Sequence, residues 1–114
     1  MHFGLSSARD IGRFLELATR GQLINQTVSA QIVQTMRGQL YASRLPRDLP
    51  LTYRLPHKTG DYPPQLQNDV GIIEAGGKHI VVVVFASHHH GDGLLLDQAI
   101  GRIGQLITDY YARP

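Results

Sequence analysis

Residues 80–85 read Ile80-Val81-Val82-Val83-Val84-Phe85, six apolar side chains in a row. A strand with one wet face alternates apolar and polar residues. This run does not alternate, and it is short for a helix. It therefore predicts a strand over 79–87 that is covered on both faces. Upstream, Gly76-Gly77 carries the signal of a tight hairpin turn, and Asp69 to Ala75 suits the partner strand. Thr52 to Thr59 suits a further strand, which Pro56 demotes toward an edge or a bulge. Gly60 to Gln67 contains Pro63-Pro64 and reads as a loop. Three sequential strands predict an antiparallel meander, which makes 79–87 an edge. Composition and position then conflict, because a flat apolar edge is an association hazard and only Lys78 and His79 stand near its start. Another strand is expected to pair there, supplied by a missing N-terminal segment, a second copy or another chain.

Helical signals flank these strands. Ser7 and Asp10 have the spacing of a capping box, and Ile11, Phe14, Leu15 and Ala18 make one apolar stripe, so residues 7–20 read as a helix with Gly21 beyond its end. Asn25 or Thr27 caps a second helix, whose apolar face is Ile32, Val33, Met36 and Leu40. Ser43 to Pro50 is an irregular crossing. Leu94 to Tyr111 is the last helix, with Leu96, Ile100, Ile103 and Ile107 at helical spacing. The fold class is α+β: two helices, then a three-stranded antiparallel meander packed by a C-terminal helix. At 114 residues and 42% hydrophobic, the chain fits one domain, 1–114. Its helical part is 1–42, and its sheet with the last helix is 50–114.

Composition removes several function classes. Eleven basic residues against nine acidic ones leave a net charge of +2, and the basic residues are scattered, which argues against a nucleic-acid partner. No cysteine is present, so disulfides, thiolate nucleophiles and Cys-type zinc sites are excluded. No apolar stretch reaches the ~18 residues of a membrane span. Met1 to Ser7 lacks a charged region followed by an apolar one, the pattern of a signal peptide.

One motif carries chemistry. His57-Lys58-Thr59-Gly60 lies at the end of the first strand, and Asn68-Asp69-Val70-Gly71-Ile72-Ile73 follows on the next. With Ser7–Arg20 and its Arg9-Asp10, the crossing Arg44-Leu45-Pro46 and the closing helix, these residues resemble the C-terminal part of the class A β-lactamases and penicillin-recognising serine hydrolases. The resemblance covers nearly all of this chain but only part of the family's domain, and implies a partial β-lactamase/transpeptidase-like fold. That family works with S-x-x-K, S-D-N and K-T-G. Here K-T-G alone is found. Three residues after Ser6, Ser7, Ser29, Ser43 and Ser87 stand Arg9, Asp10, Ile32, Pro46 and His90, none of them lysine. A C-terminal fragment, inactive by itself, is therefore the expectation.

The resemblance implies roles residue by residue. Lys58 and Thr59 are the catalytic candidates. Lys58 holds a substrate carboxylate and supports the proton network around the serine, and Thr59 hydrogen-bonds the same carboxylate. Gly60 lets substrate approach the backbone. The Asp61 N–H is one oxyanion donor. His57 packs. The implied substrate is a β-lactam, or a peptide- or ester-like small molecule with a carboxylate, cleaved through an acyl-enzyme without a cofactor. The implied location is periplasmic or secreted, in bacteria. The segment Asp61–Gln67 is longer and richer in proline than the family's turn, which leaves lactamase, peptidase and esterase open.

Other readings compete. The chain is alternatively a non-catalytic binding or oligomerisation module derived from that fold. His88-His89-His90 with Asp92 suggests zinc or nickel, but consecutive side chains diverge, so a solvated loop and no metal is expected. Asp69 and Glu74, five apart on one strand, face opposite sides and do not form an acid/base pair. Tyr110 and Tyr111 pack the end of the last helix or face solvent.

Overall fold

Helix, helix, strand, strand, strand, helix is the observed order: α1 (Ala8–Thr19), α2 (Gln26–Arg37), β1 (His57–Tyr62), β2 (Leu66–Ala75), β3 (Lys78–Ala86) and α3 (Gly93–Tyr111). The computed structural model describes residues 4–62 and 66–113. The strands form one antiparallel sheet, β1-β2-β3. Helix starts follow their caps. The Ser7 hydroxyl accepts from the Asp10 N–H at 3.1 Å, and Asn25, rather than Thr27, accepts from the Val28 N–H at 2.8 Å. Gly21, at φ 72°, takes the left-handed turn past α1. Leu15 and Ala18 of the α1 stripe are buried, whereas Phe14 sits at the rim, 41% exposed. Leu40 does not belong to the α2 face, because the helix ends at Arg37 and Leu40 is exposed.

Backbone pairing fixes which groups point where. The Ile72 N–H donates to Pro56 O at 3.0 Å, so positions 56 and 72 form a hydrogen-bonded pair. Alternation along an antiparallel ladder then turns Lys58 and Gly60 toward β2, and turns the N–H and C=O of His57, Thr59 and Asp61 toward the open side of β1. On β3, Ala75↔Lys78 closes the two-residue turn, whose Gly76 and Gly77 have φ 58° and 73°, a conformation glycine adopts without strain. By the same alternation His79, Val81, Val83 and Phe85 point their backbone groups away from β2.

The two faces of the sheet are covered by different elements. One carries Asp69, Gly71, Ile73 and Ala75 with Ile80, Val82 and Val84, and α3 packs on it with Leu45 of the crossing and Leu55 just before β1. The other carries Ile72, Val81 and Val83, under α1 and α2. The apolar run of β3 thus has helices on both faces, yet its outer edge is open among the described residues. Ile100 fills the α3 interface, while Ile103 is 39% exposed and stands on its flank. A Cβ on Gly104 would drive into the Leu45 carbonyl, so the crossing segment lies directly against α3.

Two strand boundaries differ from expectation. The first strand begins at His57, not Thr52. Tyr53 instead closes a turn, its N–H on Pro50 O at 2.9 Å. The 60–67 stretch is not all loop, because β1 continues through Tyr62 and β2 starts at Leu66; the prolines themselves lie outside the described residues. Where β1 stops short, the Tyr53 hydroxyl stands in for a strand neighbour. It accepts from the Glu74 N–H at 2.6 Å and donates to Glu74 O at 2.9 Å. Burial raises the Tyr53 pKa above the ordinary phenol value, against the Glu74 backbone hydrogen bond that lowers it.

Tyr53→Phe is expected to lower unfolding stability by roughly 1–3 kcal/mol, because the Glu74 backbone groups lose their partner. The Tyr53 contribution is whole below the ordinary phenol pKa of about 10 and is lost as pH rises through the higher folded-state value. Urea melts of the parent chain and the variant should therefore converge at strongly alkaline pH.

Candidate functional site

Residues 57–61 sit on β1, at the side of the sheet opposite to β3, and Asp69 at the centre of β2 anchors them. Asp69 is fully buried. Its carboxylate meets His57 Nδ1 at 2.9 and 3.1 Å and accepts the Leu45 N–H at 3.0 Å. This one side chain ties β1, β2 and the crossing segment together. His57 is itself 2% exposed, consistent with packing.

The crossing segment delivers Arg44, a residue that motif reading passed over as part of a connection. Arg44 Nε donates to Asp97 of α3 at 2.7 Å and Nη1 to Asn68 O at 2.9 Å, while Nη2 pairs with Asp61. Burial alone lowers its pKa, but the hydrogen bonds it donates to Asp97 and Asp61 and the charges of those carboxylates prevail, holding the guanidinium above its ordinary value. One cation between two carboxylates leaves the cluster with a formal charge of −1, so Arg44 is already neutralised. Nothing local in Ser43-Arg44-Leu45-Pro46 marks this role, which becomes legible only when Asp61 and Asp97 are brought beside it.

The four motif candidates divide between the faces. Thr59, 8% exposed, and Asp61 share the α3 side and line a cavity of about 230 Å³ with Tyr41, Ser43 and Arg44. Lys58 and Gly60 lie on the α1 and α2 side. Gly60, with Asp61, Tyr62, Leu66, Asn68 and Gly4, borders a concavity of about 450 Å³. The Lys58 ammonium curls along the strand to donate to the Thr59 carbonyl oxygen. What the candidates have in common is therefore the open edge of β1, where the Thr59 and Asp61 backbone groups point. A separate cavity of about 320 Å³, between α1, α2, β2 and β3, includes none of residues 57–61.

The remaining candidates stand apart. Among the described residues no three His, Asp or Glu side chains gather in a metal-binding group. His89 Nε2 lies 3.1 Å from Asp92 O, and His88 Nδ1 lies 3.1 Å from Ser87 Oγ. Glu74 and Asp69 face opposite sides, Glu74 pairing with Arg37 at 2.7 Å. Tyr110 is 62% exposed and meets half-buried Tyr111 edge-on, with ring centroids 5.0 Å apart. Ser29, one of the five serines checked for a following lysine, is buried and bonds both backbone groups of Leu23.

Comparison with known proteins follows from this geometry. A family model described as the beta-lactamase enzyme family matches residues 2–111. No curated protein sequence matches the chain. Among solved structures, an ancestral class A β-lactamase superposes with a TM-score of 0.70 at 26% identity. The match covers 84% of this chain and 38% of that one, so the chain spans well under half of that relative's length.

Asp69→Ala is expected to destabilise the chain by roughly 1–3 kcal/mol or more, since the Leu45 N–H loses its buried acceptor. Chemical denaturation measures it. A cost below about 0.5 kcal/mol, the range of ordinary surface changes, would contradict the anchoring role.

Proposed function

The chain belongs to the β-lactamase enzyme family, and on that premise we propose that β1 forms one wall of a serine-hydrolase cleft and that the 114-residue chain alone does not turn substrate over. The observation that carries this reading is the direction of the β1 backbone. The Asp61 N–H points to the open edge beside a concavity that Gly60 leaves unobstructed, where an acyl oxygen can approach. An N–H held in that way is an oxyanion donor, a contact worth about 3–4 kcal/mol of barrier in acyl transfer. Lys58 brings a compact positive charge to the same edge and attracts a substrate carboxylate. Thr59 supports that carboxylate with its hydroxyl, reaching around the edge from the other face. Arg44 keeps Asp61 in place by pairing with its carboxylate, which leaves the Asp61 backbone for the substrate.

The substrate class is a β-lactam or a related amide or ester with a carboxylate. The attacking group does not come from this chain. Acyl-enzyme chemistry needs a serine activated by a base, and no serine here is followed at the third position by lysine. Ser29 is committed to Leu23, and Ser7 caps α1.

Incubation of the isolated chain with nitrocefin is expected to give no hydrolysis above buffer. Binding of a carboxylate-bearing β-lactam, followed by the chemical shifts of residues 58–61, is expected to weaken about tenfold in Lys58→Ala, the loss of one charge-assisted contact. Hydrolysis that survives Lys58→Ala would overturn the assignment. Shifts that are the same in both proteins would reduce β1 to a structural strand of a non-catalytic module.

A further inference from the structure

The Arg44 guanidinium has more partners than its charge requires. Its Nε donates to Asp97 at 2.7 Å and its Nη1 to the Asn68 carbonyl oxygen at 2.9 Å. Asp97 is held from another side as well, because the same oxygen accepts from Gln67 Nε2 at 2.8 Å. This inner carboxylate by itself balances the arginine. Nη2 is left over, and the acid that takes it is Asp61. The two acids differ in access: the Asp97 side chain is 19% exposed and that of Asp61 is 44% exposed. An ion pair with so open a partner adds little to folding stability. Its effect falls on the space beside it. Asp61 lines the cavity of about 230 Å³ with Tyr41, Ser43, Arg44 and Thr59, and it also borders the concavity next to Gly60. Nη2, paired with Asp61, is therefore the guanidinium nitrogen on the cavity side.

We propose that Asp61 determines substrate specificity in this cleft: its carboxylate occupies the cavity side of Arg44 and keeps substrate carboxylates from it, so the cavity admits an uncharged arm of an amide or ester. The proposal deepens the serine-hydrolase reading and rests on it for the substrate. Its physical basis is competition. A guanidinium grips a carboxylate through parallel N–H donors, so Arg44 would make this cavity attractive to an anion if Nη2 were free. Asp61 fills that place from within the chain. Being tethered, its carboxylate has a high effective concentration, and a free one must displace it. The newcomer also approaches a cluster whose formal charge is already −1, against like charge. Lys58, whose ammonium lies on the Thr59 carbonyl oxygen at the same edge, balances that excess and leaves the edge of β1 without net charge. A substrate carboxylate is then left to Lys58, and the arm that reaches past the edge to the α3 side is neutral.

Asp61→Ala removes the internal carboxylate and leaves Arg44 balanced by Asp97. Asp61→Asn keeps the shape and drops the charge, which guards against one variant that misfolds. Acetate is the first probe. It is added to the 114-residue chain and compared with the same concentration of sodium chloride, and the Arg44 Nε–H and Thr59 amide shifts are followed. Acetate is expected to bind Asp61→Ala about tenfold or more tighter than the parent chain, with Asp61→Asn moving in the same direction. Neutral acetamide is expected to show no such gain. Equal acetate affinity in the parent and both variants would overturn the proposal, and so would an equal gain for acetamide. Benzylpenicillin and its methyl ester are the second pair of probes, followed by the shifts of residues 58–61. The preference for the acid over the ester is expected to rise about tenfold in Asp61→Ala, and a preference that stays the same would also overturn the proposal. If acetate gains as expected while neither penicillin binds either protein, the exclusion by Asp61 stands and the catalytic reading fails instead.

Discussion

A carboxylate buried at the middle of a three-stranded sheet is costly unless its oxygens are occupied, and Asp69 meets that requirement with groups from two other elements. His57 comes from the neighbouring strand and the Leu45 N–H from the crossing segment. Once Leu45 is drawn in, its side chain is in the core and its carbonyl lies against α3 at Gly104. Arg44, the preceding residue, then lands between Asp61 and Asp97. One buried acid thus sets the position of a connection that no regular secondary structure holds. The connection in turn fixes α3 to the sheet and holds Asp61 on β1.

Much of this architecture was legible in the sequence, and the reasons are local. Ser7, Asn25 and Gly21 act through bonds within a few residues of themselves, and Gly76-Gly77 through its own backbone angles. The run at 80–85 announced a strand covered on both faces because valine after valine leaves no wet side. Boundaries set by tertiary contacts were not legible. Thr52 to Pro56 has strand composition, but Tyr53 turns back on Pro50 and sends its hydroxyl to Glu74, a contact 21 positions away. Leu40 has the right spacing for α2 and falls beyond its end.

The site was legible as a list and not as an arrangement. His57 to Asp61 are adjacent in sequence, and adjacency on a strand means alternate faces. Lys58 and Thr59 were expected to grip one carboxylate, yet their side chains leave the sheet on opposite sides. They meet again at the edge, because the Thr59 carbonyl that points there takes the Lys58 ammonium, and that direction depends on pairing register, which Pro56 and Ile72 set. Arg44 illustrates the other difficulty. Its importance comes from Asp61, 17 positions on, and Asp97, 53 positions on, and no local pattern connects the three.

The hairpin tip between β2 and β3 is asymmetric. Gly76 lies against the Tyr111 carbonyl at the end of α3, so a side chain there would collide with the helix, while Gly77 has open space around it. For anyone who wishes to lengthen or label the protein, the two positions are opposites. A reporter loop spliced after Gly77 projects into solvent and leaves both strands paired. A label carried on a side chain at Gly76 would instead press on the final turn of α3.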